Sequence, residues 1–402
     1  MSIPEINLEQ ARLIQLAALG LLEPPSRQAV KEDVVAAIRG MGILQIDTIN
    51  VVAHSPYLVL FSRLGDYPPA WLDQSLAEGL VFEHWAHAAC FIPIDDFSLN
   101  RRFVVDGDRV VNYGSWVDEN RAVIDSVLDI VRREGSKRSS DFKSPKESGG
   151  WWNRKVEKWA LEYWLDHGEV MVAKRENFQR VYDLTDRVLP GWDDSQLPAR
   201  DNVIRELVIR SVKAMGVARP EWIADYYRLP KRDVARFLPG LLENNDLLEL
   251  KVKEWDQPAL YVEDSVQLLE EAIRGTLRAT HTTLLSPFDP LVWDRARARQ
   301  LFGFDFTIQA YIPADKRLYG YFPLPILHNG ALVGRLDAKA HRKDGVFEIR
   351  GIFLEPGYSE DTLLARSMAE ALRRCAIWHK TPTIRVTPGN LSGFRKQLTD
   401  FI

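Results

Sequence analysis

Cysteine is almost absent from this chain: Cys90 and Cys375 are the only two, and they form no C-x-x-C spacing. That excludes a zinc ribbon and argues against a disulfide framework. Long apolar runs are missing as well. No uninterrupted stretch approaches the ~20 residues that span a bilayer, and no basic region leading into an apolar core marks a secretion signal near the N-terminus. Carboxylates are not clustered at a spacing that would gather a divalent ion, which argues against a metal-dependent phosphodiesterase. A cytoplasmic protein with no metal, no cofactor and no membrane association is expected. No low-complexity tract interrupts the 402 residues, 46% of them hydrophobic and 27% charged, so the whole length can fold into packed units. Such a length suggests two to four domains.

The net charge of −4 argues against a polyanionic partner only if charge is spread evenly, and it is not. Between Val131 and Lys158 stand Arg132, Arg133, Lys137, Arg138, Lys143, Lys146, Arg154, Lys155 and Lys158, against the acids Glu134, Asp141, Glu147 and Glu157. A basic segment sits on a mildly acidic chain. It is either a solvated surface or a phosphate-binding one.

The order of elements around it recurs. "VDENRAVIDSVLDIVRREG" places Val123, Val127, Ile130 and Val131 at helical spacing before Gly135. "WWNRKVEKWALEYWLDHG" repeats the pattern through Val156, Trp159, Ala160 and Tyr163, and stops at Gly168. "EVMVAKRENFQRVYDL" then reads as a β-hairpin whose two runs are separated by "KREN". Helix, short helix, helix, hairpin is the winged-helix order. It returns from "ARDNVIRELVIRSVKAMG" to "DLLELKVKEWDQPALYV", where Pro220 suits a first helical turn and Gly216 and Asn245 suit ends. A looser copy comes first, with helix 31–41, the short strand "ILQI", the mainly helical "TINVVAHSPYLVLFSRLG", the helix "PAWLDQSLAEG" and the hairpin "LVFEHWAHAACFIPI". An N-terminal helix precedes it, with Asn7 and Gln10 in capping-box spacing.

From about residue 265 the character changes to strands joined by turns such as Asn329-Gly330 and Asp344-Gly345. The expected fold class is α+β: three tandem winged-helix motifs followed by a C-terminal antiparallel sheet or small barrel with flanking helices. The divisions are 1–97 (N-terminal helix and first winged helix), 98–115 (linker), 116–190 (second, basic winged helix), 197–264 (third) and 265–402 (β-rich scaffold). A helix-turn-helix offers its second helix to a DNA groove and its wing to the backbone. Lys143, Lys146, Arg154 and Lys155 near the start of the second unit's recognition helix, with Lys174 and Arg175 on its wing, are the expected phosphate contacts. Trp151 is a candidate to stack on unpaired bases, with core packing the alternative for it or Trp152.

Within the first unit, "GILQIDTI" sets Gln45 and Asp47 two residues apart. In an extended chain both side chains share one face while Leu44 and Ile46 take the other. Asp47 also suits the N-cap of a following helix. His84 and His87, near Glu83 and Cys90, superficially resemble metal ligands, but i, i+3 spacing on a hairpin does not converge on one face. Asp289, flanked by Phe288 and Pro290 in "SPFDPLVWDR", reads as a turn.

The blocks "ILQIDTINVVAHSPYLVLFSRLG", "HWAHAACFIP", "NFQRVYDLT", "ADYYRL" and "LLSPFDPLVWDR", in this order across essentially the whole chain, resemble the YcaQ branch of the AlkZ-like DNA glycosylases. The resemblance implies tandem winged helices around a positively charged, C-shaped channel. It also implies removal of alkylated guanine, including the unhooking of interstrand crosslinks. Its motif of Gln, an apolar residue, then Gln or Asp falls on Gln45, Ile46 and Asp47, and Asp at the third place is the form of that branch. No lysine belongs to the motif, so a monofunctional enzyme that leaves an abasic site is expected. His54 becomes a candidate DNA contact, with an interior or capping role as the alternative. The expected partner is double-stranded DNA carrying alkylated or crosslinked guanine, bound by a monomer that is cytoplasmic and nucleoid-associated when on DNA. The competing reading is a non-enzymatic winged-helix regulator, which has no need of the Gln45/Asp47 geometry.

Overall fold

The computed structural model describes residues 3–142, 156–358, 361–388 and 392–402. The chain forms two compact units: Met1–Pro68 together with Arg205–Ile402, and Pro69–Ile204. Among the described residues no helix is long and apolar enough to cross a membrane.

The first unit is built on a five-stranded sheet in the order Thr383–Val386, Val346–Leu354, Ala331–His341, Leu324–His328, Thr282–Leu284. Its first hairpin turns on Asn329 and Gly330, at φ 45° and 86°, between the paired residues His328 and Ala331. Two residues with positive φ match the twist of the flanking strands, which is why Asn-Gly is so strong a hairpin signal. Contrary to the antiparallel sheet expected from sequence, one of its pairings is parallel. Thr383–Val386 pairs parallel to Val346–Leu354, because the helix Thr362–Trp378 lies between them and returns the chain to the end of the sheet from which it set out. That helix buries Leu364, Ala365, Met368, Ala369, Leu372, Cys375 and Ala376, and its first turn is closed by Asp361, which accepts from the Leu364 N–H at 2.9 Å.

The helices Arg200–Met215 (in this unit from Arg205 onward), Pro220–Tyr226 and Lys231–Glu243 are followed by the hairpin Leu248–Val252 and Ala259–Tyr261. Glu5–Ile6 adds a parallel third strand to that hairpin, through Lys251 and Val252. The helix Leu8–Ala18 then starts with a complete capping box between Asn7 and Gln10.

One expectation fails and another is met only in part around the helix Ser55–Leu64. It starts only at Ser55, with Pro56 in its first turn and His54 at the N-cap position. Asp47 therefore caps nothing, and residues 46–54 form an irregular segment. The physical reason is tertiary: Val51 and Val52 give their carbonyls to the Ala340 N–H, at 2.9 Å, and to the Arg342 guanidinium. Those acceptors would otherwise have joined a helical ladder. The helix itself is buried nearly all round, from Ser55 and Pro56 to Ser62 and Arg63.

The second unit contains the hairpin Val81–Trp85 with Ala89–Pro93, the helices Ala70–Ala77, Phe97–Val105, Trp116–Glu134 and Val156–Asp166, and the hairpin Val170–Glu176 with Gln179–Leu184. The stretch expected to be a linker thus opens with a helix, since Phe97, Asn100, Phe103 and Val104 share a buried face. In Trp116–Glu134 the buried stripe is Ile124, Val127, Leu128 and Val131, rotated from the expected one, and Val123 is 36% exposed. Leu128 extends the apolar stripe beyond Val127 and Val131 and sets its centre. In the Val170–Leu184 hairpin the turn falls on Asn177 and Phe178, two residues beyond the expected one, with φ 52° and 65°. Phe178 is held in that unfavoured conformation by Arg175, which donates to its carbonyl at 2.6 Å and stacks its guanidinium 4.3 Å from the ring centre.

Candidate active site

Gly42 aims the chain into the Gln-Ile-Asp motif. It ends the helix Lys31–Met41 at φ 74°, and a Cβ there would meet the Tyr227 hydroxyl at 2.1 Å. Only glycine fits both the backbone angle and the space. Tyr226 donates to the Met41 carbonyl at 2.8 Å and fixes the last turn. Leu44 and Gln45 then form a short strand, and burial alternates: Ile43 and Leu44 are fully buried, Gln45 half-buried, Ile46 buried, Asp47 half-buried. Both polar side chains stand on the accessible side of a rigid apolar base.

Asp47 accepts one hydrogen bond, from the Ile49 N–H at 2.7 Å. This is a local turn closed by the side chain, using the same chemistry as a helix cap but two residues along. No guanidinium or ammonium among the described residues pairs with Asp47. Partial burial raises its pKa, and the Ile49 N–H opposes that only in part. Gln45 keeps its amide oxygen Oε1 out of solvent with no hydrogen-bond partner among the described residues. A buried acceptor left open in this way is costly unless a ligand or water completes it. Two residues apart in sequence stand a carboxylate of raised basicity and an amide whose oxygen has no partner among the described residues.

The segment is clamped at its C-terminal end by residues remote in sequence. Arg342 reaches the Asn50 side chain at 3.3 Å as well as the Val52 carbonyl. Ser55 shares a hydrogen bond with Ser286 at 2.7 Å. Arg63 makes a bidentate pair with Asp289 at 2.7 and 3.0 Å, both side chains buried. Asp289 also accepts from the Leu291 N–H at 2.9 Å, so it is the turn that sequence suggests and a buried anchor besides. These partners lie 226 to 292 residues apart, and no local signal announces them. None announces Tyr311 either: its side chain is largely exposed, but some desolvation of the phenol and the negative charge of Asp47 raise its pKa, which places the two groups within electrostatic reach.

The candidate DNA contacts fare differently. His54 is half-buried, its ring 6.3 Å from that of Tyr57. Lys143, Lys146, Trp151, Arg154 and Lys155 lie outside the described residues. Lys174 is exposed and pairs with Glu176 at 2.8 Å. Arg175 is not presented to solvent: with Arg180 it clasps the buried Glu83 carboxylate, holding its pKa low against the effect of burial. Elsewhere in the basic segment, Lys137 pairs with Glu134 at 2.9 Å and Arg138 with Asp141 and Glu176 at 3.0 and 2.9 Å. Such surface pairs are worth roughly 0–1 kcal/mol each. Among the described residues no group of three or more His, Cys, Asp or Glu side chains could hold a metal ion. His84 is buried beside the Leu165 carbonyl at 3.3 Å, with its pKa lowered to about 4 by desolvation, while the Cys90 thiol is pushed up to about 12 by the same cause.

This two-unit α+β architecture is also that of a known base-excising enzyme. The structure of the Streptomyces sahachiroi DNA glycosylase AlkZ is similar over 95% of this chain and 100% of that one, with a TM-score of 0.62 and 13% sequence identity. At that identity the likeness concerns the fold alone. Membership comes from the sequence: the family described as DNA glycosylase AlkZ-like matches residues 38–378, and the chain belongs to it. It is accordingly a DNA glycosylase, an enzyme that acts on DNA.

Proposed function

We propose that the enzyme hydrolyses the N-glycosidic bond of cationic N7-alkylguanine in duplex DNA, in monoadducts and in interstrand crosslinks such as those of nitrogen mustards. The observation that carries this reading is the half-buried Asp47 carboxylate, which has no cationic partner among the described residues and lies two residues along the chain from Gln45, whose Oε1 is open. Guanine alkylated at N7 already bears a positive charge and leaves as a neutral base, so no enzyme acid is needed. As the bond from C1′ to N9 breaks, positive charge develops on the sugar, and an unneutralised carboxylate stabilises it. Water then bonds to C1′, and its proton passes to Asp47 or to solvent. The vacant acceptor of Gln45 suits an O–H of that water, fixing its approach. The product is an abasic site, since the motif supplies no amine to cleave the strand.

DNA is bound, in this reading, by three tandem winged helices whose second member carries the basic segment, with Lys174 and the basic residues 143–155 as its contacts. The Asp at position 47 supports placement in the YcaQ branch. A monomer suffices, because every group invoked lies in one chain. The test is single-turnover excision from duplexes carrying N7-methylguanine, a nitrogen-mustard crosslink, uracil or 8-oxoguanine, with and without EDTA. Release from the two cationic substrates, unaffected by EDTA and giving products that break only on base treatment, is expected. Robust uracil excision or direct strand cleavage overturns the mechanism.

A further inference from the structure

Residues 304–322 run between the helix Arg295–Phe302 and the strand Leu324–His328, with no regular element beyond one short turn of 3₁₀ helix. The segment is nonetheless built as a rigid piece. Phe304, Phe306 and Phe322 anchor it in the core. The buried Gln309 accepts from the Leu318 N–H at 3.0 Å. Arg317 donates to the carbonyls of Gln309 and Ile312 at 3.2 and 2.8 Å, and its guanidinium lies 4.9 Å from the centre of the Tyr321 ring. Against this order on the inner side, Tyr311, Leu318 and Tyr321 are 75%, 71% and 40% exposed. Large apolar groups held rigidly in water mark a surface meant to be covered.

Its position says by what. Gly320 presses so closely on the strand Ala331–His341 that a Cβ would meet the Asp337 carboxyl carbon at 2.1 Å. Three residues further along that strand, the Ala340 N–H holds Val51 of the irregular segment 46–54 that carries Asp47. The two loops therefore flank one strand, and the charge of Asp47 is felt at the Tyr311 phenol. We propose that Tyr311, supported by Leu318 and Tyr321, is a stacking platform for a nucleobase of the substrate duplex next to the damaged guanine, which props the helix open toward Gln45 and Asp47. An aromatic face accepts any base, as an enzyme directed at a lesion rather than a sequence requires. The inference rests on the reading of Gln45 and Asp47 as the reacting pair.

The test uses the full chain and a duplex with 2-aminopurine beside N7-methylguanine, and reads two signals: single-turnover excision, and the 2-aminopurine fluorescence change on binding in the non-excising Asp47→Asn background. Tyr311→Ala should slow excision about 5- to 100-fold, the range that loss of one base–aromatic stack brings, and abolish the fluorescence change. Tyr311→Phe should keep both. Wild-type behaviour of Tyr311→Ala in both signals overturns the platform while leaving the glycosylase reading intact, and so does a Phe variant as impaired as the Ala variant, which would assign the role to the hydroxyl. Loss of self-association in Tyr311→Ala with unchanged fluorescence overturns it in favour of a protein interface. A wild-type protein that excises no cationic guanine, yet shows a fluorescence change dependent on Tyr311, supports the platform and refutes only the assigned substrate.

Discussion

Asp47 and Asp289 belong to the same unit, and each begins a side-chain-closed turn, accepting from the N–H two residues on. There the likeness ends. Asp289 is fully buried, with both oxygens met by the Arg63 fork, whereas Asp47 is half-buried and receives a single backbone N–H. One charge is neutralised inside the protein; the other is left for something outside it. A carboxylate that holds a fold together is recognised by the partner it has; the proposed catalytic role of Asp47 rests on the partner it lacks among the described residues.

That contrast can be broken most forcefully at the anchor. Asp289→Ala strands the Arg63 guanidinium in the core, so a loss of about 3–5 kcal/mol is expected, read by urea or thermal unfolding. Asp47→Asn should do the reverse: single-turnover excision of N7-methylguanine falls by about 10²–10³-fold, while DNA affinity stays within a few fold. A variant that excises at the wild-type rate removes Asp47 from the chemistry. Gln45→Ala removes one neutral hydrogen bond to the attacking water and should slow excision by about 2- to 13-fold. Lys174→Glu should reduce the steepness of the salt dependence of binding by about 0.9 for each phosphate no longer neutralised, with no change in melting, whereas Arg175→Ala should lower the melting temperature, because it leaves Glu83 with Arg180 alone. The smallest effect is the most diagnostic. The pKa of Asp47 is raised in the folded protein, so the ionised carboxylate costs stability above that value, and the cost fades as pH falls toward the unfolded-state value. Asn keeps the acceptor for the Ile49 N–H but not the charge. Asp47→Asn should thus melt at or above the wild-type temperature at neutral pH, and the difference should close in acid.

What the sequence discloses follows the range of the interactions concerned. Asn329-Gly330 dictates its hairpin because both residues tolerate positive φ, and the Asn7/Gln10 capping box closes within one helical turn. The alternation of Gln45, Ile46 and Asp47 is readable for the same reason, since period two is a property of three adjacent residues. Asp47 resembles a cap in sequence because a cap and a side-chain-closed turn use the same carboxylate oxygen and a nearby N–H; what separates them is whether residues 48–54 stay helical, and that is settled by Ala340 and Arg342. Arg175 misleads for a related reason. A basic residue on a hairpin is an expected phosphate contact until Glu83, far away in sequence, is seen to occupy its fork. The parallel strand Thr383–Val386 and the added strand Glu5–Ile6 depend on pairings that no window of sequence contains.

The first unit is assembled from both ends of the chain, with Pro69–Ile204 made in between, and this imposes an order in time. A ribosome adding ~5–20 residues per second produces Arg342 roughly 15–60 s after Asp47. Until then the segment carrying Gln45 and Asp47 lacks the strand that holds Val51, and for most of that interval its helix lacks the Asp289 anchor as well. Its final geometry is therefore delayed by translation itself, and a chain truncated before residue 340 carries Gln45 and Asp47 without the Ala340 and Arg342 contacts that hold the segment.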